Sequence, residues 1–535
     1  MRMTVNFSGL KTADSNTLNL INALKVCKNI GANELVFDKG IYEFGDADAE
    51  EILIDVSNHG DTNRRKSAFL LKDFESFTIN GNGSTFIFKG IQTAFALKNC
   101  QSVTLKNFSV EFPDYPYPNG FVTNITDEYF DMKFDSDAIS VKDGILYVKS
   151  GEFSDKVHCD VRFDGKSHEI IRNTGDFSLG KSLNQMSCIR LDNGEFRFFK
   201  PPQFPQKTDV FGILTGVRRA SGILLDNSLD TVIQNVTIHS CIGIGIMAQC
   251  CHNVTVDGCR VTASEGRYVS SAADATHFVA CTGLISIKNS LFEHMLDDAL
   301  NVHGIYTKVT KSAESFVAVR FMNSASVGID IYKKGDRLAA LDPETLKPFA
   351  EVTVLESDTV SREVTQLKFE ESVTLPDGCV IENLTRYPEL LFDSNTVQNN
   401  RARGMLIATN RKAVVKKCKF HTSGSAIVLE CDGGFWYESG AVSDLTIENN
   451  VFDDCRYANW DKGVISIPEG KRTVDGFYYH GEIKIEGNTF KGHNDYDVYA
   501  DNVKKLIYKN NQSDQPEIKL CHVGKADIDE GVALV

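Results

Sequence analysis

The sequence contains no long hydrophobic run. No stretch of its 535 residues approaches the roughly 20 consecutive apolar residues of a membrane-spanning helix. The first residues, MRMTVNFSGLKTADSN, lack the apolar centre of a secretory signal. We therefore expect a protein with no membrane partner and, on this sequence, a cytoplasmic one. The alternative is a periplasmic or secreted protein whose signal has been trimmed.

Paired metal-binding cysteines and an excess of positive charge are also missing. The 14 cysteines form no C-x-x-C pair and no zinc-like spacing, so we interpret them as reduced thiols packed in strands. The net charge of −15 would repel the phosphates of a nucleic acid, and we expect no such partner. The hydrophobic content of 42% and charged content of 24% are those of a soluble globular protein.

A helix is predicted near the start of the chain. From Leu18 to Cys27, apolar side chains recur at helical spacing. Asp14 or Ser15 is available as the N-cap, and Gly31 lies just past the predicted end. Such a helix would cover the open end of a solenoid and protect its strand edges.

A short strand motif recurs through the rest of the chain. It has two alternating apolar positions, then Asn or a small polar residue, then Phe or Val. The copies are SVTLKNFSV (102–110), TVIQNVTI (231–238), NVTVDGCRV (253–261), LISIKNSLF (284–292), AVVKKCKF (413–420), DLTIENNVF (444–452) and EIKIEGNTF (482–490). Strand periodicity with self-similarity at a period of roughly 20 residues predicts an all-β fold, a right-handed parallel β-helix. The frame of leucine-rich repeats is absent.

Asparagine occupies turn positions of this motif. It tolerates the left-handed backbone conformation of tight turns, and stacked Asn side chains can hydrogen-bond between coils. The separation of Asn235 and Asn253 along the chain is close to one coil. Asn450 and Asn488 are 38 apart, a separation that we interpret as two coils.

Two stretches interrupt the repeat. Alternating runs separated by Asp-Gly or Asn-Gly pairs, which begin at positions 143, 164 and 193, predict antiparallel hairpins. We expect two inserted antiparallel β-barrel-like domains, which either form the walls of a cleft or lie far from the chemistry. The predicted division is a cap with the first coils (1–118), insertion 1 (119–217), central coils (218–306), insertion 2 (307–387) and C-terminal coils (388–535).

The stretch 264–306 is the richest in carboxylates and imidazoles. Asp274 and Asp297 are 23 residues apart, about one coil, so the ~4.8 Å strand spacing would place one above the other. Asp298 can face the same way as Asp297 only at a bulge or turn. Three neighbouring carboxyl groups repel each other, and at least one should have a raised pKa. A protonated acid beside an ionised carboxylate is what glycoside hydrolysis needs.

Two other interpretations of this cluster stay open. Calcium prefers oxygen ligands and could bind clustered aspartates, although His277 and His303 are poor calcium ligands. The aspartates could also be ordinary turn residues. Of the three interpretations, we favour catalysis.

Further polar residues could line the same cleft. An aromatic ring beside carboxylates and arginines commonly receives the apolar face of a sugar, which makes Trp436 a candidate. Core packing or a surface ion pair is the competing interpretation for each of these residues. The candidate substrate-binding residues outside 274–303 are Arg267, Arg401, Arg403, Thr409, Glu430, Trp436, Tyr437 and Glu438.

The segment ADATHFVACTGLISIKNSLFEHMLDDALNVHGIY resembles glycoside hydrolase family 110. This family consists of bacterial α-1,3-galactosidases that remove terminal α-galactose, including that of the blood-group B determinant. The resemblance is carried by Asp-Ala-Thr-His-Phe at 274–278, Cys281-x-Gly283, and Asp-Asp-Ala-x-Asn-Val-His-Gly at 297–304. A β-helix with two inserted β-rich domains is also similar to that family's architecture.

The resemblance implies an inverting hydrolase without a metal or organic cofactor. By position, Asp274 would be the general acid, and Asp297 with Asp298 would activate the attacking water. The implied partner is a galactose-terminated oligosaccharide or glycan, either blood-group B-like or a linear α-galactoside. Residues expected to bind galactose hydroxyls or to orient the aspartates are His277, Asn301 and His303.

Other functions remain as alternatives. A polygalacturonase-like hydrolase would need cations beside the acids, a role open to Arg267 and Arg403. A non-catalytic β-helical glycan-binding protein would bind sugar without Asp297 and Asp298. A polysaccharide lyase would depend on calcium. An acidic surface with exposed solenoid flanks permits a homodimer.

Overall fold

The protein is a parallel β-helix interrupted by two antiparallel domains. A computed structural model describes residues 3–535 except 60–61, 114–116, 151–152, 177, 217, 314–315, 431, 459, 469, 471 and 493–494. In this structure the predicted all-β solenoid with two insertions is confirmed. The boundaries proposed for the five domains stay predictions.

Two parallel sheets form the flanks of the helix. Among the described residues, the larger sheet has 21 strands. They are Thr4–Asn6, Glu34–Val36, Ile41–Gly45, Thr78–Lys89, Thr104–Glu111, Leu229–Ile238, His252–Asp257, Arg260–Val261, Thr282–Lys288, Leu291–Glu293, Glu389–Asp393, Thr396–Gln398, Lys412–Lys416, Lys419–His421, Asp444–Glu448, Val451–Asp453, His480–Glu486, Thr489–Lys491, Val503–Lys509, Gln512–Ser513 and Val523–Ile528.

The second parallel sheet carries the predicted site. Glu50–Leu53 pairs antiparallel with the first of its strands. Its strands, in order, are Arg64–Lys72, Thr93–Lys98, Ile223–Asp226, Ile246–Gln249, Thr276–Val279, the start of Leu300–Ala313, Met405–Ile407, Ile427–Val428, Ile465–Ile467, Val498–Ala500, Glu517–Leu520 and Ala533–Leu534.

The apolar positions of the motif point into the helix and stack from coil to coil. The motif phenylalanines form a column in which successive ring centroids are 4.8–6.4 Å apart. The rings are roughly parallel because equivalent side chains of a parallel sheet lie in register. Its motif members are Phe292, Phe420, Phe452 and Phe490. Phe392, which is in register with Ile287 and not with Phe292, stacks between the first two, and all five rings are fully buried.

Asparagine makes the turns that were predicted for it. In the left-handed conformation, φ is 52° at Asn235, 53° at Asn253 and 56° at Asn449. A second set of asparagines is buried and forms a ladder. The Asn450 Nδ2 donates to Asn488 Oδ1 at 3.0 Å, and Asn488 Nδ2 donates to Asn511 Oδ1 at 3.0 Å.

The coil spacings derived from asparagine pairs were wrong. Leu445 pairs directly with Ile483, so Asn450 and Asn488 are one coil apart; this long coil also contributes the strand Ile465–Ile467 to the second sheet. Gln234 pairs with Asp257 in the next coil. Asn253 is bonded to Asp230 and therefore lies in a different turn from Asn235.

The predicted N-terminal helix runs over Asn16–Ile30. Ser15 is its N-cap and accepts a hydrogen bond from the Leu18 amide at 3.3 Å, while Gly31 ends it with φ of 67°. Leu24 and Cys27 are buried in the core of the first coils, so the helix covers this end of the solenoid. Leu18, the first residue of the apolar spacing, is 41% exposed.

Insertion 1 is an antiparallel sheet of eight strands within the described ranges. The sheet is antiparallel, as predicted, but its strand order is open and does not close into a barrel. The Asp143-Gly144 pair makes the predicted tight turn, with φ of 52° and 76°. The strands are Asn119–Ile125, Tyr129–Phe134, Ile139–Lys142, Ile145–Ser150, Phe153–Asp164, Cys188–Arg190, Phe196–Phe199 and Asp209–Thr215.

Insertion 2 is a closed antiparallel barrel. As far as the chain is described, its ladder returns to the strand from which it starts. In ladder order the strands are Leu300–Ala313, Phe316–Phe321, Val364–Phe369, Pro348–Thr359, Arg337–Leu341 and Val380–Asn383. The short strand Glu438–Ser439 pairs with Gly304 and Ile305. The 3-10 helices are Phe7–Leu10, Leu183–Gln185 and Ser324–Ser326.

The cysteines of the described residues are free thiols, and all except Cys521 are buried. This agrees with their interpretation as reduced core residues, although Cys159 and Cys431 lie outside the described side chains. No helix in the described part of the chain is both long and apolar enough to span a bilayer.

Candidate active site

The three aspartates meet on the outer side of the second sheet. Thr276–Val279 and the start of Leu300–Ala313 are neighbouring strands, with His277 opposite Asn301. In this register Asp298, and not Asp297, takes the position equivalent to Asp274. Asp297 is displaced by one position along the chain. One carboxylate oxygen from each of Asp274, Asp297 and Asp298 lies within 4.8 Å of the others.

The cluster is unusually buried for charged residues. Asp274 is 2% exposed, Asp298 0% and His277 0%, whereas the Asp297 side chain is 15% exposed. Buried polar groups without partners would destabilise the fold. The surrounding hydrogen bonds therefore determine which of these groups are charged.

Asp297 is held by three arginines. Its Oδ2 accepts from Arg218 Nη2 at 2.8 Å, and its Oδ1 lies 3.7 Å from Arg401 Nη1 and 3.9 Å from Arg403 Nη2. Burial alone would raise the pKa of Asp297. The three guanidiniums outweigh this effect and keep the pKa below its ordinary value, so Asp297 is ionised at neutral pH.

Asp274 and Asp298 have the opposite tendency. Burial, reinforced by the charge of Asp297, raises the pKa of Asp274 to about 8. Burial also raises the pKa of Asp298 well above its ordinary value, and Arg403, whose Nε lies 3.1 Å from Asp298 Oδ1, offsets this only in part. Neighbouring carboxyl groups thus differ in protonation at neutral pH.

Two imidazoles extend inward from Asp274. His277 Nδ1 is hydrogen-bonded to Asp274 Oδ2. His277 Nε2 lies 2.8 Å from His303 Nε2, and His303 Nδ1 lies 2.6 Å from the Gly304 carbonyl. Since each ring nitrogen is used within this chain of contacts, the two imidazoles are better placed to orient Asp274 than to bind a sugar.

The predicted residues from the C-terminal coils border the cluster. Glu438 Oε1 lies 3.5 Å from His303 Nε2, and Asn301 Nδ2 lies 3.5 Å from Glu438 Oε2. Glu430 lies 3.8 Å from Arg403 Nη1. Asn301 Oδ1 is buried and has no hydrogen-bond partner among the described residues, which leaves it available to a ligand hydroxyl.

Three other predicted residues lie apart from the aspartates. Arg267 donates to the Pro113 carbonyl at 3.1 Å and lines a separate cavity of about 1000 Å³ whose lining includes none of the three aspartates. Trp436 is 47% exposed, with its ring against Phe435. Thr409 donates to the Pro388 carbonyl. Within the described part of the chain, the contacts of these three side chains lead to Pro113, Phe435 and Pro388 and not to the aspartates.

Sequence reasoning missed Arg218, Asn58 and Asp176. Asn58 Nδ2 lies 3.2 Å from His277 Nε2. Asp176, in insertion 1, receives two hydrogen bonds from Arg401 at 2.6 and 2.7 Å. None of the three belongs to a repeat copy, so strand periodicity carried no signal for them. The arginine pair at 218–219, where the repeat resumes, was the one clue.

Among the residues that the structure describes, two groups of side chains have the spacing of a cation site. These are the three aspartates, and His277 with His303 and Glu438. The first group already contacts three guanidiniums, and His277 is engaged by Asp274 and His303. These contacts favour a hydrogen-bonded site, because a cation would have to displace them.

A buried protonated carboxyl beside an ionised one is the combination that glycoside hydrolysis needs. A family model described as a right-handed β-helix region matches residues 303–515. Relatives named α-1,3-galactosidase B, 30–32% identical over 89–91% of this chain, show that the chain belongs to glycoside hydrolase family 110, as its sequence motifs indicated, and that it is a glycosidase.

The relatives match most of the chain. An α-1,3-galactosidase B of Bacteroides fragilis is 32% identical, over 89% of this chain and 84% of its own. One of Bacteroides thetaiotaomicron is 30% identical, over 91% and 82%. A solved structure, the A-module of the Azotobacter vinelandii mannuronan C-5 epimerase AlgE4, is similar at 10% identity over 99% of both chains, with a TM-score of 0.43.

Proposed function

We propose that the protein is an exo-acting, inverting α-galactosidase that removes terminal α-1,3-linked galactose from oligosaccharides or glycans. The observation that carries this proposal is the pairing of a protonated Asp274 with an ionised Asp297 in one buried cluster. The names of the relatives, α-1,3-galactosidases, support the substrate.

The charges and exposures of the aspartates support different roles. Asp274 carries a proton at neutral pH and acts as the general acid on the departing glycosidic oxygen. Asp297 is ionised, and its side chain is 15% exposed against 3% for Asp274, so it is the carboxylate that water reaches. Asp298, the other member of the predicted pair, has a raised pKa, so it orients the water through hydrogen bonds while Asp297 takes the proton.

The inverting outcome is inferred from the family resemblance. Inverting enzymes usually keep their two carboxyl groups ~6.5–9.5 Å apart, whereas the nearest oxygens here lie within 4.8 Å. This separation does not support inversion. The stereochemistry therefore requires direct measurement of the first anomer released.

The polar residues that border the aspartates would bind the sugar. Asn301 Oδ1 is free to accept a hydroxyl proton, and Glu438 and Glu430 add acceptors at 13% and 40% side-chain exposure. Hydrogen bonds from hydroxyls to buried acceptors select strongly for the matching sugar. Linear and branched, blood-group B-like substrates are both compatible with these contacts.

The test is galactose release from an α-1,3-linked galactose disaccharide and from blood-group B trisaccharide, with NMR of the fresh anomer. We expect early β-galactose, and the same rate with and without a chelator. Asp274→Asn and Asp297→Asn should lose about 10²–10⁴-fold activity on both sugars. Asp131→Asn is the control, because Asp131 is also buried but pairs with Arg197 in insertion 1.

An activated aryl α-galactoside separates the two roles. Its leaving group needs no protonation, so Asp274→Asn should keep most of its activity on it, whereas Asp297→Asn should lose activity on every substrate. The reverse pattern would make Asp297 the acid. Absence of galactose release from all three substrates would refute the proposed function.

A further inference from the structure

The hydrogen-bonded chain from Asp274 has a fixed direction. It runs from Asp274 Oδ2 to His277 Nδ1, from His277 Nε2 to His303 Nε2 at 2.8 Å, and from His303 Nδ1 to the Gly304 carbonyl at 2.6 Å. A carbonyl oxygen can only accept a hydrogen bond. The inner end of the chain therefore determines which nitrogen of each ring carries a proton.

The protons can be assigned outward from Gly304. His303 Nδ1 must carry a proton in order to donate to the carbonyl, so Nε2 of a neutral His303 presents a lone pair. His277 Nε2 must then carry the proton between the two rings, and the side-chain amide of Asn58, which also lies 3.2 Å from this nitrogen, must present its oxygen to that proton. His277 Nδ1, in a neutral ring, presents a lone pair to Asp274, and only a protonated Asp274 can donate to it.

Burial keeps the ring of His277 neutral. His277 is 0% and His303 1% exposed, and burial, with His303 beside it, lowers the pKa of His277 to about 3. The charged groups that face these rings are Glu438, at 3.5 Å from His303, and Arg218 and Asp297 beyond Asp274. Glu438 is farther from His303 than the nitrogen of His277 is, so the contact between the rings prevails.

We propose that His277 and His303 are positioning residues that keep the catalytic proton on Asp274 by presenting a lone pair, and not an N–H group, to its carboxyl. The proposal deepens the proposed function and rests on it, since it concerns the acid of that reaction. The chain ends on a carbonyl, which cannot supply a proton. After each turnover Asp274 must therefore be reprotonated from the substrate side.

Two substitutions at His303 separate this role from simple packing. His303→Gln keeps an oxygen that can accept from His277 Nε2, whereas His303→Leu removes the acceptor. In the leucine variant His277 is free to carry its proton on Nδ1, which would stabilise the Asp274 carboxylate. The alkaline limb of kcat/KM should then move down by about one pH unit. At a pH above the limb this is a tenfold loss of kcat/KM. In His303→Gln the limb should return to its wild-type position.

A distant buried histidine provides the matched control. His480 is 4% exposed and accepts from the Val442 amide at 3.2 Å, so His480→Leu should cost stability and leave the pH profile in place. An unchanged alkaline limb in His303→Leu, or equal shifts in the Gln and Leu variants, would overturn the proposal.

The free enzyme provides a test that does not depend on turnover. Nitrogen-15 NMR should show neutral His303 with its proton on Nδ1 and neutral His277 with its proton on Nε2 at pH 7. Carbon-13 NMR should show a protonated Asp274. A proton on Nε2 of His303 would overturn the relay even if the enzyme releases galactose. The predicted tautomers in an enzyme without galactosidase activity would instead refute the proposed function alone.

Discussion

The ionisation of Asp297 should depend on Arg218. Arg218 makes the shortest contact of the three arginines with this carboxylate, at 2.8 Å, and burial alone would favour the neutral carboxyl. In Arg218→Leu we therefore expect the pKa of Asp297 to rise. The water-activating group must be ionised. On acidification, the variant should therefore lose activity at a higher pH than the wild-type protein does.

The size of this effect follows from the contact. Coulomb's law at an effective dielectric constant of about 20 gives about 6 kcal/mol for unit charges 2.8 Å apart. That figure is an upper bound, because the side chains are 25% and 15% exposed and two other guanidiniums remain. A charge-assisted hydrogen bond contributes about 1.5–3 kcal/mol net, which corresponds to about 1–2 pKa units.

The assay is the acid limb of kcat/KM on the α-1,3-galactose disaccharide. In the wild-type protein, Asp297 should remain ionised down to below its ordinary pKa of 3.8, and in Arg218→Leu the limb should move up by about 1–2 pH units. The matched control is Arg197→Leu, because Arg197 also pairs with a buried aspartate, at 2.7 and 2.9 Å, and is 26% exposed.

The reasoning would be refuted by a variant whose activity falls equally at every pH, because Arg218 would then serve only the fold or the binding of substrate. A shift of the same size in Arg197→Leu would refute it as well. A rescue of Arg218→Leu at higher pH, up to the alkaline limb set by Asp274, is the expected positive result.

Three further predictions concern stability. Arg403→Leu should lower the free energy of unfolding by about 1.5–3 kcal/mol in urea titrations, because it removes a charged hydrogen bond to buried Asp298; an equal loss in Arg337→Leu, which breaks an exposed pair with Glu351, would contradict this. Asn488→Ala should cost about 1–3 kcal/mol by breaking the buried ladder, more than the same change at exposed Asn82. Burial raises the pKa of Glu382 to about 7 from 4.5, so stability should fall by about 3 kcal/mol as the pH rises between these values. Glu382→Gln should flatten this loss, and an unchanged slope of stability against pH would count against it.

The periodic part of the fold could be predicted from the sequence. The motif copies fall on strands of the larger sheet, because each copy repeats the same alternation of buried and exposed positions. Its phenylalanines form the stacked column for the same reason. Coil lengths could not be derived, because the loops between strands differ in length and the motif contains no residue that indicates how long the next loop is. The Asn450–Asn488 spacing shows this error.

The candidate site was predictable only where it lies on consecutive coils. The motif around Asp274 and Asp297 pointed to the aspartates, but the pairing of His277 with Asn301 makes Asp298 the partner of Asp274. A register shift of one residue moves every side chain of a strand to the opposite face of the sheet. The spacing along the chain therefore could not decide which of the two aspartates is the partner of Asp274. Arg218, Asn58 and Asp176 reach the site through tertiary packing, which no local pattern records.

The site is assembled from residues that are far apart along the chain, from Asn58 to Glu438. A nascent chain synthesised only as far as Asn400 contains all three aspartates but neither Arg403 nor Glu438. At ~5–20 residues per second, several seconds pass between the synthesis of Asp298 and that of Arg403, the cation that contacts it. Enzymatic activity should therefore arise late and abruptly during synthesis, when the coils that carry Arg403 and Glu438 close the pocket.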